Sequence, residues 1–469
     1  MSNDLTRKSA TELTALIKSR ALSPVELLND SLAVIERVNP KLNAIVTLAA
    51  DQAREAAREA EAAVMRGDAV GALHGLPIGV KDVTRTAGIR TTFGSPLFKD
   101  FVPDEDAEAV RRLKAAGAIV LAKTNTPEFA CGANTVNPVF GATRNPWNPA
   151  LSPAGSSGGS AVAVATGMVP LAQGTDFGCS IRIPAAFCGI VGIRPTPGLT
   201  PNYPMPLAWD PGQVHGPLAR SAEDAALMLD AMVGFSRLSP ISVAPPWASA
   251  QVEVARAHHA KGLRVAYAPD IAGIGVDAEI DKICRATAVR LRDAGATVDE
   301  IQFDVSDGRD PYQVWRGAWM VAQQFENISR LEEFGENLMG NVKRGLTVTT
   351  LDLGKAEQTR QIVFHRFRAL FERYDLLLTP AAPIRPFPVE QNFPTEINCH
   401  KFENYVDWIA PAFLVTLVSL PAGSVPAGMT NDGLPVGLQI VAPRFEEPRI
   451  LSLAKIVQQM NPIGWPPAG

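Results

Sequence analysis

Two runs of small residues constrain this chain more than any other feature. They are Ser152-Pro153-Ala154-Gly155-Ser156-Ser157-Gly158-Gly159-Ser160 and Gly174-Thr175-Asp176-Phe177-Gly178-Cys179-Ser180-Ile181-Arg182. Together they set several serine hydroxyls among small residues with almost no charge. Hydroxyls in such a segment cannot all be solvated, so they bond to one another or to the backbone. A buried hydroxyl beside pliable glycine backbone is also how a serine nucleophile and its oxyanion donors are assembled. The remaining requirement is a base. The nearest candidate upstream is Lys81, in His74-Gly75-Leu76-Pro77-Ile78-Gly79-Val80-Lys81-Asp82.

Bulk properties exclude several classes. A length of 469 residues suits one large domain or two to three ordinary ones. A net charge of −4 without a basic stripe argues against nucleic acid as a partner. The start, Met1-Ser2-Asn3-Asp4, lacks the basic-then-apolar pattern of a signal peptide, and no apolar run reaches membrane-spanning length. The expected location is therefore the cytoplasm, with no membrane partner. Cys131, Cys179, Cys188, Cys284 and Cys399 are scattered without a C-x-x-C pair, which favours reduced thiols over a disulfide framework or a zinc site. The histidines form no H-E-x-x-H pattern, and His258-His259 reads as surface. No metal site is expected.

Ser23-Pro24-Val25-Glu26 is a capping box, and the helix it opens carries Val25, Leu28, Leu32 and Ile35 at helical spacing. Residues 49–66 read as an exposed helix. A strand over 76–81, a helix over 107–116 stopped by Gly117, and a strand over 118–122 indicate α/β architecture. Residues 158–167 are small and apolar enough for a helix buried on all sides, with Ser156 and Ser157 just before its start. Residues 236–260, with Pro245-Pro246, read as a linker. Strands at 263–267 and 297–298 flank a helix over 277–294. Residues 305–370 read as mostly helical, with Trp315, Trp319 and Phe325 spaced for one packed face. A buried strand over 375–380 and a proline-rich loop over 383–400 follow, and 437–441 is expected to close the sheet. The chain thus reads as one domain: N-terminal helices (1–66), a core carrying the motifs (70–235), a cap-like region elaborated over the core (236–370), and a return to the core sheet (371–469).

Taken together, these segments resemble the amidase signature family. The resemblance rests on Gly75 to Asp82, on Gly155-Ser156-Ser157-Gly158-Gly159-Ser160 and on Gly178-Cys179-Ser180-Ile181-Arg182-Ile183-Pro184-Ala185. It extends to Cys188-Gly189-Ile190-Val191-Gly192 and Gly433-Leu434-Pro435-Val436-Gly437-Leu438-Gln439. Lys81 precedes Ser156 by 75 residues and Ser156 precedes Ser180 by 24, the separations of that family's lysine and two serines. The fold implied is a single large α/β domain, a central mixed sheet with helices on both faces.

Carried over residue by residue, the resemblance makes Ser180 the nucleophile, Ser156 a bridging serine after a cis peptide bond, and Lys81 the base. Desolvation disfavours an ammonium and can lower a buried lysine by up to ~5 pKa units. A neutral Lys81 then takes a proton from Ser156 while Ser156 takes one from Ser180. The N–H groups of Phe177, Gly178, Cys179 and Ser180 are the expected oxyanion hole. Asp176 and Arg182 are expected to hold that turn through charge-assisted bonds. This machinery requires no metal or organic cofactor. Taken singly, the serines read as helix caps and Lys81 as a snorkelling lysine. Cys179 stands where the family usually has Gly, and would be strained if that position needs a positive φ. Ala154 also replaces a usual Gly, a change expected to matter less.

The resemblance implies hydrolysis of amides through an acyl-enzyme, and the same attack serves carbamates (urethanes). Specificity is expected in loops around 129–137, 203–209 and 315–325. Phe129, Cys131, Gly132, Trp209 and Trp319 are the candidate substrate contacts, and their character favours hydrophobic or aryl amides. Two other readings stay open: the glutamine-hydrolysing subunit of a tRNA-dependent amidotransferase, and a non-catalytic scaffold on the same fold. The expected partner is a small-molecule amide or carbamate, and the expected assembly a monomer or homodimer.

Overall fold

Eleven strands form one mixed sheet in a computed structural model that describes residues 5–469. In chain order they are β1 (Ile45–Leu48), β2 (Pro77–Lys81), β3 (Ile119–Thr124), β4 (Leu171–Asp176), β5 (Val191–Arg194), β6 (Val214–Ala219), β7 (Arg264–Tyr267), β8 (Thr297–Glu300), β9 (Leu376–Pro380), β10 (Ala422–Met429) and β11 (Pro435–Val441). Across the sheet they lie β1-β3-β2-β4-β6-β5-β10-β11-β9-β7-β8. β3, β2 and β4 run parallel, as do β9, β7 and β8. The antiparallel pairs β4–β6, β6–β5, β5–β10, β10–β11 and β11–β9 join the two parallel groups. Helices cover both faces, and the central strands are buried along their length, as the near-continuous apolar runs imply.

Strong local signals appear as expected. Ser23 Oγ accepts from the Val25 N–H (3.0 Å) while the Ser23 N–H donates to Glu26 Oε2 (3.1 Å), opening the helix Pro24–Leu42. The small-residue run becomes the helix Gly158–Ala165, buried on every side. Its glycines are needed for close approach: a Cβ on Gly159 would stand 2.3 Å from the Asn125 backbone nitrogen.

Three expectations need correction. The stretch 236–260 is not all linker, because Ser249 caps a helix, Ala250–Arg256, whose Ala250 and Val254 are buried. β11 does not close the sheet. A tight turn at Gly433 (φ +79°) folds it back on β10, and it lies inside the sheet, leaving β8 at the edge. Phe325 leaves the face occupied by Trp315 and Trp319 and is 75% exposed, because the helix Arg309–Gln323 ends just before it. The cap-like region is divided: β7 and β8 extend the sheet, while the helices Arg309–Gln323, Glu336–Leu346 and Thr350–Arg373 form a separate layer. Residues 383–400 remain mostly irregular, apart from a short hairpin pairing 396–397 with 400–401.

All five cysteines are free, and only Cys399 is exposed. Among the described residues no helix is long and apolar enough to cross a membrane.

Candidate active site

Lys81 ends β2 and Asp176 ends β4. These strands are parallel neighbours, in register from Ile78 against Leu171 to Val80 against Gln173. Their carboxyl ends therefore open at the same place, where α/β sheets commonly bind ligands. The helix Gly158–Ala165 begins there too, with Ser157 at its N-cap and Ser156 one residue before, after a cis Gly155–Ser156 bond.

Lys81 is fully buried, and its Nζ lies 2.7 Å from Ser156 Oγ, 2.9 Å from Ser157 Oγ and 2.9 Å from Thr175 Oγ1. Ser157 donates its own hydroxyl hydrogen to the Thr175 carbonyl (3.2 Å), so towards Lys81 it accepts. A neutral amine has two hydrogens and one lone pair. With the hydrogens on Ser157 and Thr175, the lone pair faces the Ser156 hydroxyl. Burial pushes Lys81 down to about 7, against the opposing pull of the Asp176 carboxylate.

Ser180 is half-buried, unlike Ser156, and its side chain makes no hydrogen bond to another described residue. Its carbonyl accepts from the Ser157 N–H (3.1 Å), which sets the two serine segments side by side. Ser156, Thr175 and the turn 177–180 line one small cavity of about 20 Å³, roughly the room for one water. No described residue accepts from the N–H groups of Gly178, Cys179 or Ser180.

The turn hangs from a buried ion cluster. Arg182 donates from Nε and Nη2 to the Asp176 carboxylate (3.1 and 2.9 Å), and from Nη2 also to the Gly178 carbonyl (2.7 Å). Its Nη1 reaches Ala412 O and Gln439 Oε1, both at 2.7 Å. Arg194 donates to the Asp176 carbonyl (2.6 Å). Burial alone would raise the Asp176 carboxyl; Arg182, Arg194 and the Ile181 N–H outweigh it and hold it below the usual carboxylate range. Asp176→Asn strands two buried guanidinium groups, and the expected loss is about 3–5 kcal/mol of stability, read as a lower denaturant midpoint.

Cys179 is not left-handed; the positive φ falls at Ala154 (+61°). The residue expected to matter less is therefore the one in a glycine-favouring conformation, which costs about 1–2 kcal/mol for an L-residue. The Cys179 thiol contacts the Gly155 carbonyl (3.4 Å), and burial pushes it up to about 12, so it stays protonated at neutral pH.

Phe129, Gly132 and Trp319 line the cavity together with Ser156 and Ser180. Trp319 stacks on Phe177 with ring centroids 4.4 Å apart. Two other candidate contacts do not. Trp209 is 76% exposed, because Asp210 accepts from the Gly212 and Gln213 N–H groups and folds the loop so that Gln213 reaches the cavity instead. Cys131 lies behind Met320, sulfur to sulfur at 3.4 Å, and lines a neighbouring cavity. Sequence reasoning missed Thr175, Arg194, Arg316 and Tyr405. Thr175 sits inside the second run and was open to notice; the others arrive from distant segments and carry no local signal. Among the described residues no cluster of three or more His, Cys, Asp or Glu side chains is placed to hold a metal ion.

Comparisons with known proteins agree along nearly the whole chain. A family model described as Amidase matches residues 26–451. An acylamidase of Rhodococcus erythropolis is 34% identical over 97% of this chain and 95% of its own length. The A subunit of the glutamyl-tRNA(Gln) amidotransferase of Methylococcus capsulatus is 36% identical over 97% of each. The crystal structure of a bacterial aryl acylamidase superposes with a TM-score of 0.89 at 29% identity, covering 96% of both chains.

Proposed function

The chain belongs to the amidase family and is a hydrolase of carbon–nitrogen bonds in non-peptide amides, and from that premise we propose that it cleaves hydrophobic or aryl amides through an acyl-enzyme on Ser180. The observation that carries the reading is the 2.7 Å contact between buried Lys81 Nζ and Ser156 Oγ. Neutral Lys81 takes the Ser156 proton as Ser156 takes that of Ser180. The Ser180 oxygen attacks the amide carbon, and the developing oxyanion meets the N–H groups of the turn 177–180, each worth roughly 3–4 kcal/mol in the transition state. The proton held by Lys81 returns through Ser156 to the departing amine. Water then enters by the same route and releases the acid. Asp176 and Arg182 hold the turn in shape. Carbamates fit the same attack, since their carbonyl also carries a nitrogen leaving group. The aromatic wall of Phe129, Phe177 and Trp319 favours an aryl or apolar group over a small polar one. The substrate is a soluble small molecule met in the cytoplasm.

The test is a panel of anilides, primary amides and carbamates, with mass spectrometry of the trapped protein. The expected result is fastest turnover among the anilides and an acyl mass on the peptide containing Ser180. An acyl group on another residue, or none while turnover proceeds, removes the assignment. A second reading, glutamine hydrolysis within an amidotransferase, is favoured by the 36% identity to a component of such an enzyme. It predicts release of ammonia from glutamine dependent on further protein components, and poor cleavage of anilides by the chain alone.

A further inference from the structure

Three arginines are buried among the described residues: Arg182, Arg194 and Arg316. The first two share a carboxylate, with Asp176 Oδ1 at 2.9 Å from Arg182 and 3.7 Å from Arg194. Arg316, only 4% exposed, has no carboxylate of the described residues within 4 Å. Its Nε donates to Asn341 Oδ1 (3.0 Å), its Nη2 to the Tyr405 hydroxyl (2.6 Å), and its Nη1 reaches the Tyr312 hydroxyl at 3.5 Å. All three acceptors are neutral. An arginine cannot escape burial by losing its proton, so among the described residues this buried charge stands without a counter-charge.

This charge lies in the wall of the candidate active site. Arg316 and Tyr405 line the same small cavity as Ser156 and Ser180. The acids around it are already engaged. Asp176 is bound by two arginines, Asp210 by the Gly212 and Gln213 N–H groups, and Glu128 by Ser95 Oγ (2.6 Å) and the Gly335 N–H (2.7 Å). Asn341 and Tyr405 also line an adjoining cavity of about 140 Å³. The partners of Arg316 therefore stand between the site and further space, where a side arm of the substrate can extend. A planar, permanently charged donor fork in such a wall is matched by a carboxylate.

Resting on the amide-hydrolase reading, we propose that Arg316 is a specificity-determining residue that binds a carboxylate carried by the substrate, so that the preferred amides are acidic ones. The aromatic wall takes the apolar part of the molecule and Arg316 its anionic end. Tyr405 and Asn341 hold the guanidinium in orientation.

The test uses two matched probes, glutaric acid monoanilide and pentananilide, which differ in the terminal carboxylate. Affinities are measured by calorimetry on the Ser180→Ala protein, so that binding is read apart from turnover. The acidic probe is expected to bind at least about 30-fold more tightly, the scale of a charge-assisted hydrogen bond. Arg316→Gln on that background is expected to reduce the ratio below about 3-fold, and Arg316→Lys to retain part of it. Because Arg316→Gln removes three internal bonds and can disturb folding, Tyr405→Phe serves as a second variant: it keeps the charge but removes one bond that orients it, and is expected to lower the ratio without abolishing it. Equal affinity for the two probes, no measurable binding of the acidic probe, or a preference that survives Arg316→Gln overturns the proposal. Turnover of both anilides at equal kcat/KM also overturns it, while leaving the amidase reading intact. An Arg316-dependent binding preference without turnover of either probe supports it and counts against that reading instead.

Discussion

Ser180→Ala is expected to lower amide turnover by about 10⁴-fold or more and to leave the protein folded. The size follows from losing the group proposed to form the covalent bond; what survives is the proposed oxyanion stabilisation and substrate positioning. Retention of the fold follows from the structure. The Ser180 hydroxyl is half-exposed and bonds to no described side chain, so its removal orphans nothing, and a change within about 0.5 kcal/mol is expected. The check pairs steady-state rates with a thermal melt. A folded Ala variant with near-native turnover sinks the assignment of Ser180 as nucleophile. Labelling by a fluorophosphonate probe gives an independent reading, with the mass expected on Ser180 and absent from the variant.

The second large effect concerns Lys81. With its folded pKa near 7, the base form fills as pH rises through that value. Below it, kcat/KM is expected to rise about tenfold per pH unit, and above pH 8 to level off. At pH 6 the rate should be about one tenth of the plateau. Lys81→Met is expected to cost about 10²–10⁴-fold and to abolish this acid limb. A profile flat from pH 6 to 9.5 rules out Lys81 as the titrating base. The same group affects stability with a definite sign. Its folded pKa lies below its unfolded value of 10.5, so between about pH 7 and 10.5 the unfolded chain binds more protons. The contribution of Lys81 to stability therefore grows as pH rises through that window. Lys81→Met should flatten this part of the stability curve.

The strands at 77–81 and 119–124 and the helices at 24–42, 108–115 and 158–165 were legible because each rests on contacts close in sequence: caps, helical spacing, short apolar runs and glycine stops. The helix at 250–256 was obscured by the prolines just before it, although Ser249 is a normal cap. Glycine logic pointed at Cys179, yet the left-handed backbone is at Ala154. A missing glycine in a motif marks a position where freedom is usual, and only the dihedral angle tells whether it is used. Trp209 illustrates the limit on the substrate side: aromatic character nominated it, and the Asp210 turn faced it to solvent.

By itself the sequence determined the family and most of the order of the elements, and it nominated Lys81, Ser156 and Ser180 by their spacing, since all of these are written in local patterns along the chain. Only the tertiary structure decided the order of strands across the sheet, the company Arg182 keeps with Gln439, 257 residues away, and the arrival of Arg316 and Tyr405 beside Ser180. The physical reason is that such neighbours are chosen by packing and by pairing of buried polar groups over the whole domain. No short window of residues carries the information about which distant segment will meet it.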